Sequence, residues 1–273
     1  MSLTFHETFS LERENIAKLL DVVADSPMIS DVEIADQTGI GIGKAGKGGK
    51  VRPTIKYADF CGLLKSTGGT AGILISDSGK IIREYDRRLK TSVTHWIMHS
   101  KISSQETGAT AWKSFTHEFL PHYSEFYREM LKDFLDSLNP DLNEKTRTAN
   151  VGLLIKSYTD DTGLFRTRLF REVTTNRFHR ESSNYPNAYL AVYVLAEIWE
   201  AKHADRSMVE PAVLLESGHL ATTLNLTAGD LQSCLDEMSA IGAISQMREA
   251  PPFQVVRRWS DKFDLLRRAY EEY

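Results

Sequence analysis

One segment of the chain restricts its fold more than any other: residues 188–201 are almost entirely apolar. The large apolar side chains in this segment are Tyr189, Leu190, Val192, Tyr193, Leu195, Ile198 and Trp199. A helix that is apolar on all sides lies either in a protein core or in a membrane, and a membrane span needs about 20 such residues. The chain has no run of that length. We therefore expect a globular protein in which residues 188–201 form a central buried helix.

Apolar residues elsewhere recur mostly at helical spacing, which predicts a mainly α fold with small β-hairpin wings. The first helices are predicted over residues 11–24, 31–38 and 51–64. Ser30 and Glu33 have the spacing of a capping box before the second helix, and Pro53 fits the first turn of the third. Two β-prone runs, residues 72–75 and 80–85, then predict a hairpin. This order is typical of a winged helix-turn-helix unit.

A helical middle and a second, winged-helix-like unit are predicted in the rest of the chain. The helices of the middle are predicted over residues 91–100, 108–119, 124–138 and 144–159, before a long polar loop. Near the end, Thr227 is a predicted N-cap for a helix at residues 228–241, followed by two strands and a helix at residues 259–273. We accordingly predict three domains, joined in the order 1–90 (winged-helix DNA-binding domain), 91–205 (helical middle domain) and 206–273 (C-terminal winged-helix-like domain).

Residues 39–56 combine glycines with cations and contain no acidic residue. Their cations are Lys44, Lys47, Lys50, Arg52 and Lys56. Residues 41–47 have the G-x-x-x-x-G-K spacing of a phosphate-binding loop, but Gly48 stands where the magnesium-binding Ser or Thr is required. The glycines let backbone amides approach phosphates, and the cations neutralise them. We therefore predict that this segment contacts the DNA backbone, with Arg52, Lys56 and Thr54 near a groove.

A second basic cluster contains five arginines and one acidic residue between positions 166 and 180. The arginines are Arg166, Arg168, Arg171, Arg177 and Arg180. Such a cluster either forms a second phosphate-binding surface or pairs with carboxylates of this chain or of a partner. The sequence favours neither alternative, and we keep Arg166, Arg168 and Arg171 as candidate DNA-binding residues.

Histidines and carboxylates do not locate a catalytic or metal centre. His95 and His99 have a metal-binding spacing, but Trp96 stands where a zinc protease carries glutamate. Packing in the core is the better interpretation. The acidic residues that could hold Mg²⁺ or Mn²⁺ for DNA cleavage are Glu84, Asp86, Asp160 and Asp161, and no nuclease motif surrounds them.

Composition restricts the setting of the protein. The net charge of −4 does not argue against DNA binding, because the distribution of charge decides binding. Cys61 and Cys234 are too few for a disulfide framework, and the first residues have no apolar signal core. We expect a cytoplasmic protein without a membrane segment.

With these features the chain resembles a prokaryotic family called domain of unknown function number four thousand and seven. The segments that carry the resemblance are residues 5–9, 39–56, 57–64, 96–99 and 235–245. The resemblance implies a role in bacterial DNA phosphorothioation, in which sulfur replaces a non-bridging phosphate oxygen, and in the linked antiphage defence. Within the single-strand modification system, the similar component is one that nicks DNA, next to a sulfur-transfer enzyme and an ATPase as partners.

The sequence thus predicts a DNA-binding component of phosphorothioate modification, with DNA nicking by a Mg²⁺- or Mn²⁺-dependent reaction as a hypothesis. Two alternatives stay open at this point. One is a winged-helix transcription regulator that performs no chemistry, and the other is a scaffold that docks an acidic partner through its arginines.

Overall fold

The computed structural model describes residues 5–26, 28–43, 49–66, 72–138, 140 and 143–273. Within these residues the fold is mainly helical, as the sequence predicts. The helices are α1 (Arg13–Asp25), α2 (Asp31–Thr38), α3 (Val51–Phe60), α4 (Asp77–Tyr85), α5 (Ser92–Ile102), α6 (Thr110–Ser114), α7 (Arg128–Leu138), α8 (Glu144–Thr159), α9 (Ala188–Lys202), α10 (Leu220–Thr223), α11 (Ala228–Ala240) and α12 (Lys262–Glu271). A π-helix, Phe115–Phe119, continues α6, and three short 3-10 helices cover Leu120–His122, Phe165–Thr167 and Pro211–Leu215.

Three small antiparallel sheets accompany the helices in the described residues. Their strands are β1 (Leu64–Ser66), β2 (Ile73–Ile75), β3 (Glu125–Tyr127), β4 (Phe170–Thr174), β5 (Arg177–Arg180), β6 (Met208–Val209), β7 (Ile244–Met247) and β8 (Gln254–Arg257). β1 pairs with β2, and the other two sheets have the orders β3-β5-β4 and β6-β8-β7.

Three helices and a strand pair form the first part of the chain. The predicted capping box is present, since the side chain of Ser30 accepts a hydrogen bond from the amide of Glu33 and the Glu33 carboxylate accepts one from the amide of Ser30. The hairpin, however, was predicted wrongly. Residues 80–85 belong to α4, because the Ser76 hydroxyl accepts from the amide of Gly79 and caps a helix that buries Ile81 and Ile82. β2 pairs instead with β1, whose first residue, Leu64, was predicted as the last residue of the third helix.

The middle of the chain contains a sheet that the sequence analysis missed. Residues 125–127, predicted as helix, form β3, and the predicted polar loop contains β4 and β5. The sheet is held by three buried phenylalanines, with ring centroids 5.2 to 5.6 Å apart, contributed by Phe126, Phe170 and Phe178. Because side chains alternate across a strand, the neighbours Glu125 and Tyr127 are exposed.

Helix α9 is the central buried helix that the sequence predicts. Its side chains from Leu190 to Ala196 are at most 1% exposed, and it packs against α5, α11 and α12. At its end the indole nitrogen of Trp199 donates to the carbonyl of Arg206, 2.8 Å away.

In the final part, the predicted N-cap Thr227 is confirmed and forms a capping box with Asp230 at the start of α11. The two predicted strands are present as β7 and β8, and β6, which was not predicted, pairs with β8. Helix α12 returns to the first part of the chain and packs against α4 as well as α9. The Tyr270 hydroxyl lies 2.7 Å from the Thr94 hydroxyl, and the rings of Tyr85 and Tyr270 stack with centroids 5.3 Å apart. The three-domain division stays a prediction. Among the described helices, none is both long and apolar enough to span a bilayer.

Candidate nucleic-acid interface

The glycine and lysine segment is described only in part, since Lys44 and Lys47 lie outside the described residues. The Lys50 ammonium lies 2.6 Å from the carboxylate of Glu12, and the Arg52 guanidinium lies 2.7 Å from that of Asp31. Lys56 is exposed. The segment is thus anchored to the beginning of α1 and of α2 by ion pairs.

Helix α3 exposes a narrow stripe. Arg52 and Lys56, one turn apart, are its exposed cations, and the helix buries Val51, Thr54 and Ile55. The expectation that Thr54 lies near a groove was wrong, because its hydroxyl donates to the carbonyl of Lys50 over 2.7 Å inside the helix. Few side chains of α3 are therefore available to contact base edges.

The structure divides the arginine cluster into paired and unpaired members. Arg171 pairs with Glu181, and the Arg177 guanidinium lies 2.6 Å from the Glu125 carboxylate. Arg180 is half-buried and donates to the side-chain oxygen of Asn225 over 2.6 Å. These three arginines stabilise the sheet and its contacts, whereas Arg166 and Arg168 are exposed.

Two grooves of similar size lie on either side of Phe165. The first, which we call the α8 groove, has a volume of about 760 Å³ between α8 and β4. It is lined by Arg128, Gly152, Ile155, Lys156, Tyr158, Thr159, Asp160, Phe165, Arg168, Phe170, Arg171, Glu172 and Glu181. The second, the α1 groove, has a volume of about 730 Å³ beside the start of α1. It is lined by Glu12, Arg13, Glu14, Asn15, Ala17, Lys18, Arg88, Lys90, Asp161, Thr162, Phe165 and Arg166.

Phe165 is the ridge that both grooves share. Its ring centroid lies 5.4 Å from the guanidinium carbon of Arg166 and 5.9 Å from that of Arg13. The imidazole of His95 contacts the ring edge-on at 5.7 Å, and the amide of Arg166 donates to Nδ1 of His95 over 3.3 Å. The ridge is therefore fixed from the core side, while Arg166 is exposed beside it.

Arg13 holds the segment in front of Phe165 in place. Its guanidinium donates to the backbone carbonyls of Asp161, Gly163 and Leu89, and its amide donates to the carbonyl of Thr162 over 3.0 Å. All these acceptors are neutral carbonyls, and the carboxylates of Asp86 and Asp161 act on the Arg13 guanidinium electrostatically.

Cations without ion pairs are concentrated in the two grooves. In the part of the chain that the structure describes, five exposed or half-exposed groove cations form no ion pair and no side-chain hydrogen bond: Arg88, Lys90, Arg128, Arg166 and Arg168. Outside the grooves, three described cations likewise form no ion pair and no side-chain hydrogen bond: Lys56, Arg206 and Arg257. An unpaired cation binds a phosphate without first losing a carboxylate, so the grooves are the described surface best suited to a polyanion.

The first basic segment adjoins the same surface. Glu12 lines the α1 groove and is also the ion-pair partner of Lys50. Through Glu12 the fold places Lys50 beside the groove that Arg166 lines, although the two cations are more than 100 positions apart in the sequence. Among the candidate residues, Arg171 also lines the α8 groove, while Arg52 and Lys56 line neither groove.

His95 and His99 are core residues, as the sequence analysis favoured. His99 lies between the Tyr158 hydroxyl, 2.8 Å from Nδ1, and the Thr223 carbonyl, 3.0 Å from Nε2. Burial lowers the pKa of His95 and of His99 to about 3. Both side chains are therefore neutral core residues at physiological pH. Because each imidazole has different hydrogen-bond partners, the two do not act together as ligands of one metal ion.

The candidate nuclease carboxylates do not converge. The buried Asp86 accepts hydrogen bonds from the amides of Lys90 and Thr91 and from the hydroxyls of Thr91 and Thr94, at 2.7 to 2.9 Å. Burial raises the pKa of this carboxyl, but the hydrogen bonds outweigh it and the net pKa is lowered. Asp160 accepts from the amide and hydroxyl of Thr162. Within the described ranges, no three His, Cys, Asp or Glu side chains are placed to hold a metal ion.

Several residues of the interface were missed in the sequence analysis. Arg88 and Lys90 belong to a short basic run, residues 87–90, that the sequence analysis did not single out, and Arg128 stands alone between Tyr127 and Glu129. The fold brings all three to the two grooves. Phe165 gave a weak signal, as an aromatic residue next to two arginines.

Comparison with known proteins gives the family of the chain. The family model described as "Protein of unknown function (DUF4007)" matches residues 3–270. The chain belongs to this family. No curated protein sequence matches it.

Two solved structures resemble the chain over almost its whole length. They are a magnesium ion-bound SspB crystal structure, with a TM-score of 0.75, and an SspB crystal structure, with a TM-score of 0.71. Each is 18% identical and matches 98% of this chain and 86% of its own. The likeness shows that the chain and SspB share a fold.

Proposed function

We propose that this protein is a cytoplasmic DNA-binding component of bacterial DNA phosphorothioate modification and the linked antiphage defence. Its membership of the family and its structural likeness to SspB, a phosphorothioation-related protein, support this assignment. A sulfur-transfer enzyme and an ATPase are the partners that we propose for it in such a system.

The concentration of unpaired cations around Phe165 carries the proposal of DNA binding. Arg128 and Arg168 in one groove and Arg88, Lys90 and Arg166 in the other form no ion pair within the described residues, and Glu14 acts on Arg88 and Lys90 only electrostatically. Each phosphate that a cation neutralises releases condensed counterions, which is the main source of sequence-independent affinity for DNA. We propose that Lys44, Lys47 and Lys50 extend this surface along the adjacent glycine-rich segment.

The order of elements at both ends of the chain supports a DNA-binding role. Helices α1 to α3 followed by β1 and β2 have the order of a winged helix, and so do α10 and α11 followed by β7 and β8. A transcription regulator of this class reads bases with several side chains of its recognition helix. Because α3 exposes a narrow stripe with Arg52 and Lys56, we favour backbone binding over base reading.

Binding of a DNA duplex at increasing salt tests the proposal. Arg128→Gln and Arg168→Gln should each weaken binding and reduce the slope of log affinity against log salt by about one. Arg206→Gln is the matched control, since Arg206 is an exposed unpaired cation outside the grooves. Equal effects of all three substitutions, or none, would argue against the groove surface. Retained DNA binding with loss of partner binding would instead support a scaffold.

DNA nicking is a second candidate function, favoured by the magnesium ion in a structure that shares this fold. The described residues do not form a three-ligand metal site, so we assign no ligands and no catalytic step. Supercoiled plasmid incubated with Mg²⁺ or Mn²⁺ tests this function. Conversion to open circles that a chelator abolishes supports a nickase, whereas intact plasmid with tight, salt-dependent binding supports a protein that only binds.

A further inference from the structure

Phe165 occupies a position that backbone binding alone does not explain. It lies in a short 3-10 helix, Phe165–Thr167, and is the one described residue that lines both grooves. The ring is only partly buried. A phenylalanine is a costly side chain to leave partly exposed to water between two grooves that several cations line, and a polyanion backbone gains little from it.

The surroundings of the ring place flat groups next to cations. Arg166, whose guanidinium carbon is 5.4 Å from the ring centroid, is exposed beside it. Aromatic rings and guanidinium planes are the surfaces on which unpaired bases stack. Arg128 and Arg168 lie on one side of the ridge and Arg88 and Lys90 on the other.

We propose that the two grooves form one track for a single DNA strand, with an unpaired base stacked on Phe165 and Arg166 and the flanking phosphates bound by the cations of each groove. A cationic groove interrupted by an aromatic platform is the general solution for binding single strands without sequence preference. In a duplex the base faces are covered by their neighbours, so a ring on the surface cannot stack on them. This inference rests on the proposed function and names the form of DNA that the surface takes.

Fluorescence of 2-aminopurine in an oligothymidine strand tests the stacking directly. Saturating wild-type protein should quench the probe in a single strand. Phe165→Leu should weaken single-strand binding at least about fivefold, the loss expected for one stacked base, and leave duplex affinity within about twofold. Phe165→Trp should restore the affinity for single strands. The control Phe253→Leu changes a phenylalanine that is more exposed than Phe165, 47% exposed, and lies outside both grooves, and it should change neither affinity.

The outcomes separate this inference from the proposed function. Duplex binding without single-strand binding, or saturating single-strand binding without quenching, overturns the track and leaves DNA binding intact. Equal losses for both forms of DNA with Phe165→Leu show that the ring supports the fold of the grooves, which also overturns the track. If neither form of DNA binds to the wild-type protein, the proposed function itself fails. The quenching measurement needs no variant and so decides the question even if Phe165→Leu does not fold.

Discussion

Gly152 of α8 leaves the space over which the guanidinium group of Arg128 lies. A Cβ atom at position 152 would be 3.0 Å from Nη2 of Arg128, closer than such contacts usually come. The absence of a side chain in the middle of a helix thus allows a cation from the start of α7 to lie against the α8 groove.

Gly152→Ala should therefore raise the stability of the protein and at the same time weaken its binding to DNA. Alanine is the better helix former, so we expect the free energy of unfolding to rise by up to about 1 kcal/mol. Displacement of Arg128 should at the same time weaken DNA binding, which a denaturation curve and a binding titration measure together. Gly229→Ala is a suitable control because a Cβ there has no neighbour closer than 3.8 Å. Unchanged DNA affinity of Gly152→Ala would contradict the role of Arg128.

The buried histidines predict that stability falls between pH 7 and 5. Burial lowers the pKa of His95 and His99 to about 3 and that of His117 to about 4, while the unfolded chain titrates near 6.5. The unfolded chain therefore binds more protons below pH 6.5, and stability present above that pH is lost as the pH falls toward 4. Each histidine contributes about 1.4 kcal/mol per pH unit.

Urea unfolding at pH 7, 6 and 5 measures this loss. His99→Gln should flatten the dependence, because it removes one of the protons taken up, and His122→Gln, at an exposed position, should leave it unchanged. Equal stability of the wild-type protein at pH 7 and pH 5 would contradict the predicted loss.

We expect Asp86 to stabilise the fold and to take no part in a catalysed reaction. Asp86→Asn removes the negative charge and replaces one of the two acceptor oxygens by an NH₂ donor, so donors at the start of α5 lose an acceptor. We therefore expect a loss of about 2–4 kcal/mol in unfolding free energy. Glu84→Gln, at a neighbouring exposed position, should change it by less than about 0.5 kcal/mol. A stable Asp86→Asn protein that lost only metal-dependent nicking would instead place Asp86 in an active site.

Arg13 is expected to couple stability to the shape of the α1 groove. A lysine ammonium cannot span the three carbonyls that the Arg13 guanidinium reaches, so Arg13→Lys should cost about 2–4 kcal/mol. Single-strand affinity should also fall, since the segment before Phe165 loses its support. Lys80→Gln, which removes a surface ion pair with Asp77 of 2.9 Å outside both grooves, should have little effect on either measurement. An Arg13→Lys protein as stable as the wild type would show that these hydrogen bonds are dispensable.

The fold was predicted correctly where neighbouring residues alone determine the local structure. The apolar run of α9, the capping box before α2 and the N-cap residue Thr227 of α11 need only neighbouring residues, and all three were predicted correctly. The hairpin failed because Ile81 and Ile82 suit a strand or a helix equally, and the cap at Ser76 decides for the helix. The sheet in the middle had a signal that was overlooked, the Thr175-Asn176 turn, where Asn176 has a positive φ of 62°.

Only part of the candidate interface could be predicted from the sequence, because the ion pairing of its cations depends on tertiary contacts. Lys50, Arg166 and Arg168 stand in long basic segments, whereas Arg88 and Lys90 stand in a short basic run directly after Glu84 and Asp86, and Arg128 stands singly before Glu129. Whether a cation is paired depends on which carboxylate the fold brings near it, as for Arg171 and Glu181. That information lies in tertiary packing and not in the order of residues.

The return of α12 to α4 affects how this protein is made. Tyr270 contacts Thr94, and the side chain of Asn187 donates to the carbonyl of Ala269 over 2.9 Å. During translation, chains generally fold from the N-terminus as residues emerge. Here the apolar surfaces of α4 and α9 remain uncovered in the nascent chain until α12 has left the ribosome. We therefore expect ribosome-bound fragments that stop before residue 262 to expose these surfaces and to depend on chaperones.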